Sequence, residues 1–251
     1  MLLEERLAQA TTEAGAIKLA RALYSLEVTA KALPGEYDDN FHLISLRSVT
    51  AAQQGNAAPA PSSPVQNEFV LKVMHPAREP AFIDMQCRAL QHLANRAAHL
   101  TLPRVQLNRN GEAFTAIPAA DGTHRLVWLL NYVPGTMLAK ARPHSAELLH
   151  SLGAFLGAMD AALLDFTHPA ARRELKWDLV RADWIRQHLG VIRDQSQRAL
   201  VEKFLALYQA DVLPMLPHLR RSVVYGDAND YNVLVADPLP LPRKEIGRAH
   251  V

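Results

Sequence analysis

One cysteine, Cys87, stands in 251 residues. A single thiol closes no internal disulfide and cannot supply the clustered sulfur ligands of a zinc site. Charge of one sign is also scarce: 27 Lys and Arg against 25 Asp and Glu leave a net charge of +2. That is too little to argue for nucleic acid or a membrane surface as a partner. No run approaches the ~20 apolar residues that span a bilayer. The opening residues, MLLEERLAQATTEAG, carry early acids and no long apolar run, so they do not read as a secretory signal. The eleven histidines show no H-x-x-x-H or other metal-ligand spacing. What remains is the composition of an ordinary soluble globular protein, 49% apolar and 21% charged. Its length suits one large domain or two small ones, with a cytoplasmic location as the default expectation.

Periodicity divides the chain. Residues 2–22 read as a helix with Leu3, Leu7, Ala10, Ile17 and Ala20 on one side. Leu23 to Leu33 and Phe41 to Leu46 read as strands joined by a polar turn at Pro34-Gly35. The Ala/Pro/Ser/Gln-rich stretch from Ala51 to Val65 cannot bury apolar area and is expected to be a flexible loop, about 51–66. Phe69 to Val73, FVLKV, is a short buried strand with one lysine in it. Pro80 to Ala98 reads as a helix with Phe82, Met85, Ala89, Leu93 and Ala97 inward, followed by strands near 105–107, 114–117 and 125–132. Helices then dominate: Ser145 to Leu164, with Ser145 as N-cap, then 177–189 and 197–213. A β-rich first part and a helical second part predict an α+β fold of two lobes. The division falls near Val133-Pro134-Gly135, giving lobes over 1–132 and 133–244.

The segment Val223 to Val235, VVYGDANDYNVLV, packs Asp227, Asn229, Asp230 and Asn232 between two apolar runs. Asn and Asp tolerate turn geometry, so the cluster reads as a hairpin turn. It reads equally as a reactive loop. Phosphoryl transfer to a hydroxyl needs a carboxylate near the attacking oxygen and oxygen ligands for Mg²⁺. The spacing D-x-x-x-x-N supplies both, with Asp227 for the proton or the hydroxyl and Asn232 for the metal. Lys72 poses a separate question, since a lysine in an apolar strand needs a partner or a route to water. Cys87 reads as a small core residue, and Asp178 as a helix cap.

The string GDANDYNVLV resembles the catalytic loop of the aminoglycoside phosphotransferase and choline kinase group, relatives of the protein kinases, whose pattern is H-G-D-x-x-x-x-N. It is most similar to the hydroxylysine kinase subfamily, where GD-x-ND-x-N recurs. LPGEYDDNFHL, at Leu33 to Leu43, strengthens the likeness, because that subfamily carries a D-x-N-F string where other kinases have a glycine-rich loop. The resemblance implies a protein kinase-like two-lobe fold with a β-rich N-lobe and an incomplete helical C-lobe. The implied activity is transfer of the γ-phosphoryl group of ATP or GTP, with Mg²⁺, to the hydroxyl of a small amine-bearing metabolite. In it Gly35, Asp38, Asp39 and Asn40 form the turn over the nucleotide phosphates, Lys72 holds the α/β-phosphates, and Leu130 and Tyr132 flank the purine-binding hinge. Gln86 takes the place of the usual glutamate on the helix after the lysine strand. Tyr225 stands where most relatives have histidine. These departures keep a non-catalytic, pseudokinase-like binding module open as the alternative.

A second Mg²⁺-binding aspartate, in a D-F-G or I-D-x-G-D string, is expected after Asn232. VLVADPLPLPRKEIGRAHV offers only Asp237, which precedes a proline. The final EIGRAHV resembles an in-frame translation of a sequencing adapter, so residues 245–251 are expected to be a non-native tail. On that expectation the 251-residue chain is an inactive fragment. Sequencing the locus across the codons for Pro242 to Val251 decides it, and a natural stop codon directly after Val251 would sink the idea. Some bacterial relatives carry such a domain ahead of a pyridoxal-phosphate aminotransferase, so the resemblance also allows a fused aminotransferase domain.

Overall fold

The computed structural model describes residues 10–46, 67–119, 122–173 and 178–236, and the backbone of 246–249. Six strands form an antiparallel sheet: β1 (Val28–Leu33), β2 (Asp39–Ser45), β3 (Glu68–Val73), β4 (Val105–Gln106), β5 (Phe114–Pro118) and β6 (His124–Asn131), in the order β1-β2-β3-β6-β4 with β5 also on β6. The continuous apolar run of β3 follows from burial on both faces. Phe69, Leu71 and Val73 pack toward helix α1 (Glu13–Tyr24), against its fully buried Ala16 and Ala20. Val70 packs toward helix α2 (Pro80–Arg96) with Trp128 and Leu130.

α1 starts later and ends later than its periodicity suggested. Thr12 caps it, its hydroxyl accepting the Gly15 N–H at 3.1 Å. Ser25, at φ 57°, ends it. Leu23 and Tyr24 are therefore helical and the strand begins at Val28. Leu3 and Leu7 lie outside the described residues, as does the expected loop at 51–66. On α2 the buried stripe is Ile83, Cys87, Leu90 and Leu93, with Ala97 just beyond the helix. Phe82, Met85 and Ala89 are only partly buried. The two stripes share Leu93 and Ala97 and differ earlier in the helix, where Ile83, Cys87 and Leu90 are buried in place of Phe82, Met85 and Ala89, because both sides of this helix carry apolar residues. Cys87 is a core residue as expected, and burial pushes its thiol up to about 12, so it stays protonated and inert.

Helix α3 (Ala146–Ala162) begins at Ser145, whose hydroxyl accepts the Leu148 N–H at 3.2 Å. Its Phe155 and Met159 pack with Leu93, Ala97, Leu100 and Leu102. One compact unit is Met1–Thr167 with Val223–Val251, taken over its described residues, and His168–Ser222 is a second. In the second unit, Leu179–Val191 is a 3-10 run capped by Asp178, which accepts the Val180 N–H at 3.0 Å. Helix α4 (Gln195–Leu207) follows, capped by Asp194. The expected lobe boundary near Val133 falls inside the first unit, directly after β6.

Candidate active site

Register places the charged groups of the sheet. Asn40 of β2 lies opposite Lys72 of β3, and Lys72 lies opposite Trp128 of β6. Directly opposed residues share a face, so these three side chains line the α2 side of the sheet. One step along, His42, Val70 and Leu130 form the next row. Lys72 is half-buried, and its Nζ lies 5.5 Å from the centre of the Trp128 ring, within cation–π range. Burial pushes its ammonium below the usual lysine range, Asp38 opposes that shift and Arg78 adds to it.

The turn between β1 and β2 comprises Pro34 to Asp38, while Asp39 and Asn40 already belong to β2. Gly35 is required there by a close approach: a Cβ would stand 2.3 Å from the Asp38 carbonyl oxygen and 2.6 Å from Asn40 Nδ2. Gly35→Ala is expected to cost roughly 1–3 kcal/mol as overpacking. If the turn covers a nucleotide, it also weakens nucleotide affinity. Thermal melts with and without nucleotide check both, and an unchanged melt would remove the glycine from its role. Asp38 and Asp39 have separate duties. Asp38 accepts the His75 backbone N–H at 2.7 Å and pairs with Arg78 at 2.9 Å. Asp39 is buried, accepts the Thr11 N–H at 2.8 Å and pairs with Arg125 at 2.9 Å. Gln86 is half-buried on α2, one residue before Cys87 and two after Asp84, whose carboxylate is 2.8 Å from Arg88 Nε.

At the end of β6, Leu130 is buried between Val70 and Val105. Tyr132 donates its backbone N–H to the Glu68 carbonyl at 2.9 Å and stacks on His42 with ring centres 4.1 Å apart. Asn131 is buried and its side-chain oxygen accepts the Arg104 backbone N–H. Neither His42 nor Asn131 stood out in the sequence, although the alternation FHLISL does put His42 on the face opposite Phe41 and Leu43. Gly135 follows at φ 155°, where a Cβ would stand 2.8 Å from the Val235 carbonyl.

The Asp227 segment is not a hairpin. Strand β8 (Val233–Val235) pairs with β7 (Thr136–Met137) and with β9 (Ile246–Ala249), while Val223 and Val224 belong to no strand. Val224 is exposed, and the neighbour that β8 pairs with comes from far upstream. Both ends are nevertheless clamped. Val223 and Tyr225 pack with Phe155 and Met159, and Val233 and Val235 pack with Leu138 and Leu148. Gly226, at φ 76°, turns the chain between them.

Within this loop the two predicted residues meet. Asn232 Nδ2 donates to Asp227 Oδ2 at 2.8 Å and to its backbone carbonyl at 3.0 Å. Asn229, whose role spacing did not reveal, donates to Asp227 Oδ1 at 2.8 Å and accepts the Tyr231 N–H at 2.9 Å. Asp227 is exposed, yet both its oxygens are held by amides, which orient the carboxylate and leave lone pairs for an incoming hydroxyl. Burial, and then the charge of Asp227, push the Tyr225 hydroxyl well above the ordinary phenol range, so it stays neutral beside the loop. Packing of the Tyr225 ring and the Asn229 amide thus brace the loop.

Asn232 spends its amide N–H on Asp227, so its carbonyl oxygen is the group that could ligate a metal. A carboxylate and an amide oxygen suit a hard cation such as Mg²⁺, which completes its shell from water and phosphate oxygens. The donor set fits part of such a site. Among the described residues no group of three His, Cys, Asp or Glu gathers to hold a metal, and Asp237 lies outside them.

The chain is similar to known proteins in sequence and in fold. Hydroxylysine kinase of Mus musculus is 27% identical over 234 residues, covering 89% of this chain and 58% of that protein. The Danio rerio enzyme is 29% identical over 237 residues, covering 91% and 61%. The chain thus spans about three-fifths of the length of these curated relatives. Among solved structures, amicoumacin kinase in complex with AMP-PNP, Ca²⁺ and Ami superposes at a TM-score of 0.62 with 16% identity, over 95% of this chain and 63% of that one. The microcompartment-associated aminopropanol kinase gives 0.62 and 16%, over 94% and 68%. At such identity the structures establish the fold, which is α+β and kinase-like, as expected. The sequence pattern of the phosphotransferase enzyme family matches residues 62–241 of the 251, from β3 through the Asp227 loop, and the chain belongs to that family.

Proposed function

We propose that this protein transfers the γ-phosphoryl group of ATP or GTP to the hydroxyl of a small amine-bearing metabolite, with hydroxylysine-like amino alcohols first among acceptors. The observation that supports this most directly is the Asp227 carboxylate, exposed at a clamped loop and fixed by Asn229 and Asn232. Asp227 orients the acceptor hydroxyl and takes its proton as the P–O bond forms. Lys72 holds the α/β-phosphates under the turn at Gly35 and Asp38. The backbone at Leu130 and Tyr132 receives the base, and Gln86 on α2 takes the position of the usual glutamate as a neutral residue. Asn232 is the ligand this loop offers to Mg²⁺, which when bound neutralises charge on the transferring phosphoryl oxygens. The acceptor class is supported by the names of the relatives, since hydroxylysine and aminopropanol each carry an amine and a hydroxyl.

No helix among the described residues is long and apolar enough to cross a membrane. We place the reaction in the cytoplasm, with a small molecule and neither nucleic acid nor membrane as partner, and leave a fused aminotransferase domain as part of the proposal. Gln86 favours a second reading, a nucleotide-binding module without turnover. A panel of amino alcohols, assayed with ATP and with GTP, separates the two. Nucleotide-dependent phosphorylation of at least one hydroxylated amine is expected. Tight nucleotide binding with no phosphorylated product across the panel would leave the second reading standing and remove the first.

A further inference from the structure

Lys72 lies in a largely apolar setting, and Gln86 brings it no charge from α2. We propose that Asp38, in the turn between β1 and β2, is the counter-charge that keeps Lys72 cationic for the nucleotide phosphates, and that Arg78 sets its strength by sharing the same carboxylate. This rests on the phosphate-binding role of Lys72 given above.

The geometry ties Asp38 to the strand that carries the lysine. Asn40 lies opposite Lys72, and Asp38 ends the turn two residues before Asn40. His75, shortly after Lys72, donates its backbone N–H to Asp38 Oδ1 at 2.7 Å. The carboxylate is thereby fixed at the exit of β3. Its side chain is only 13% exposed, so water screens it poorly. Other charged and titratable groups stand on the elements around Lys72. Asp84 on α2 is engaged by Arg88 at 2.8 Å, and the buried Cys87 thiol is neutral. Glu79 sits at the N-cap of α2, and Trp128 contributes its ring face. Asn40 adds a neutral acceptor, since its side-chain oxygen is buried without a hydrogen-bond partner. Arg78 acts in the opposite sense. Its Nη2 is 2.9 Å from Asp38 Oδ2, so it both competes for the carboxylate and repels the ammonium. Consistent with this, Asp38 raises the lysine's proton affinity and Arg78 lowers it, against a larger loss from burial.

A kinase lysine binds phosphate only when protonated, so the sign is fixed for each variant. Asp38→Asn removes the counter-charge, and Lys72 loses its proton at lower pH. Arg78→Gln removes the competitor, and Lys72 keeps its proton to higher pH. The test is the pH dependence of reductive methylation at Lys72, read by peptide mass spectrometry in the full-length protein. The methylation midpoint is expected to fall by about one pH unit in Asp38→Asn and to rise in Arg78→Gln. It is expected to recover in Asp38→Asn/Gln86→Glu, where a carboxylate returns from α2. A purely structural role for Asp38 would loosen the turn in both single variants and move both midpoints alike or not at all, and either result overturns the proposal. Should Asp38→Asn fail to fold, Arg78→Gln retains the carboxylate and decides alone by the direction of its shift. Methylation needs no turnover, so a protein that transfers no phosphate defeats the functional reading and leaves this outcome legible.

Discussion

Asp227→Ala in the full-length protein is expected to lower turnover by roughly 10²–10⁴-fold, the range for loss of a positioned general base. Nucleotide affinity should stay nearly intact, because no phosphate or base contact in the proposed arrangement passes through this carboxylate. The fold should survive as well. Asp227 is exposed, so the Asn229 and Asn232 amides it releases turn to water instead of being stranded in an apolar core. Val223, Tyr225, Val233 and Val235 continue to hold the ends of the loop. This separation of effects is what makes the variant informative. A fall in kcat with an unchanged melting temperature and unchanged nucleotide titration places Asp227 at the chemical step. Turnover within threefold or so of wild type would take it out of the reaction. Asn229→Ala is the graded companion: it frees one oxygen of the carboxylate while Asn232 holds the other, so its loss should be smaller and of the same kind.

How much of this was legible in the chain depends on how far apart the interacting residues are. Asp227 and Asn232 meet within one loop, so their spacing alone carried the chemistry. Asn229 lies in the same loop but was masked by the many duties Asn has in turns. Lys72 announced itself as the one charge in an apolar strand. Caps at Ser145 and Asp178 are local, and both formed as expected. The failures are non-local. The hairpin expected at Val223 to Val235 did not form because β8 takes β7 as its neighbour, a pairing no local pattern encodes. The inward side of α2 was right at Leu93 and Ala97 and wrong at Phe82, Met85 and Ala89, because burial between sheet and helices, and not the helix alone, chooses among its apolar positions. Most telling is the acidic turn Asp38-Asp39. The sequence offers two like residues side by side, and the step from the turn into β2 between them sends them to different partners. Asp38 joins His75 and Arg78 near Lys72, while Asp39 turns to Thr11 and Arg125.

That second destination yields the largest expected effect on stability. Arg125 and Asp39 are 7% and 6% exposed at the side chain. The guanidinium donates to the Met74 and Val73 carbonyls at 2.8 Å each and to the Thr11 hydroxyl at 3.0 Å. Those neutral acceptors satisfy its hydrogens but not its charge, which Asp39 alone among these partners cancels. Asp39→Ala therefore strands a buried cation and also leaves the Thr11 N–H without its acceptor. Breaking one side of such a pair costs about 3–5 kcal/mol. Against a total stability of roughly 5–15 kcal/mol, that is about a fifth at the least. A drop in melting temperature on the order of 10 °C follows for a chain of this size. Asp39→Asn should fall between, since it restores an acceptor for Thr11 and none of the charge. The pair joins the first residues before α1, the start of β2, the end of β3 and the start of β6. Its loss should therefore loosen the sheet as a unit, and hydrogen exchange should rise across β2, β3 and β6 together. A melting temperature within about 2 °C of wild type would show that water reaches Arg125 and that the pair holds nothing together.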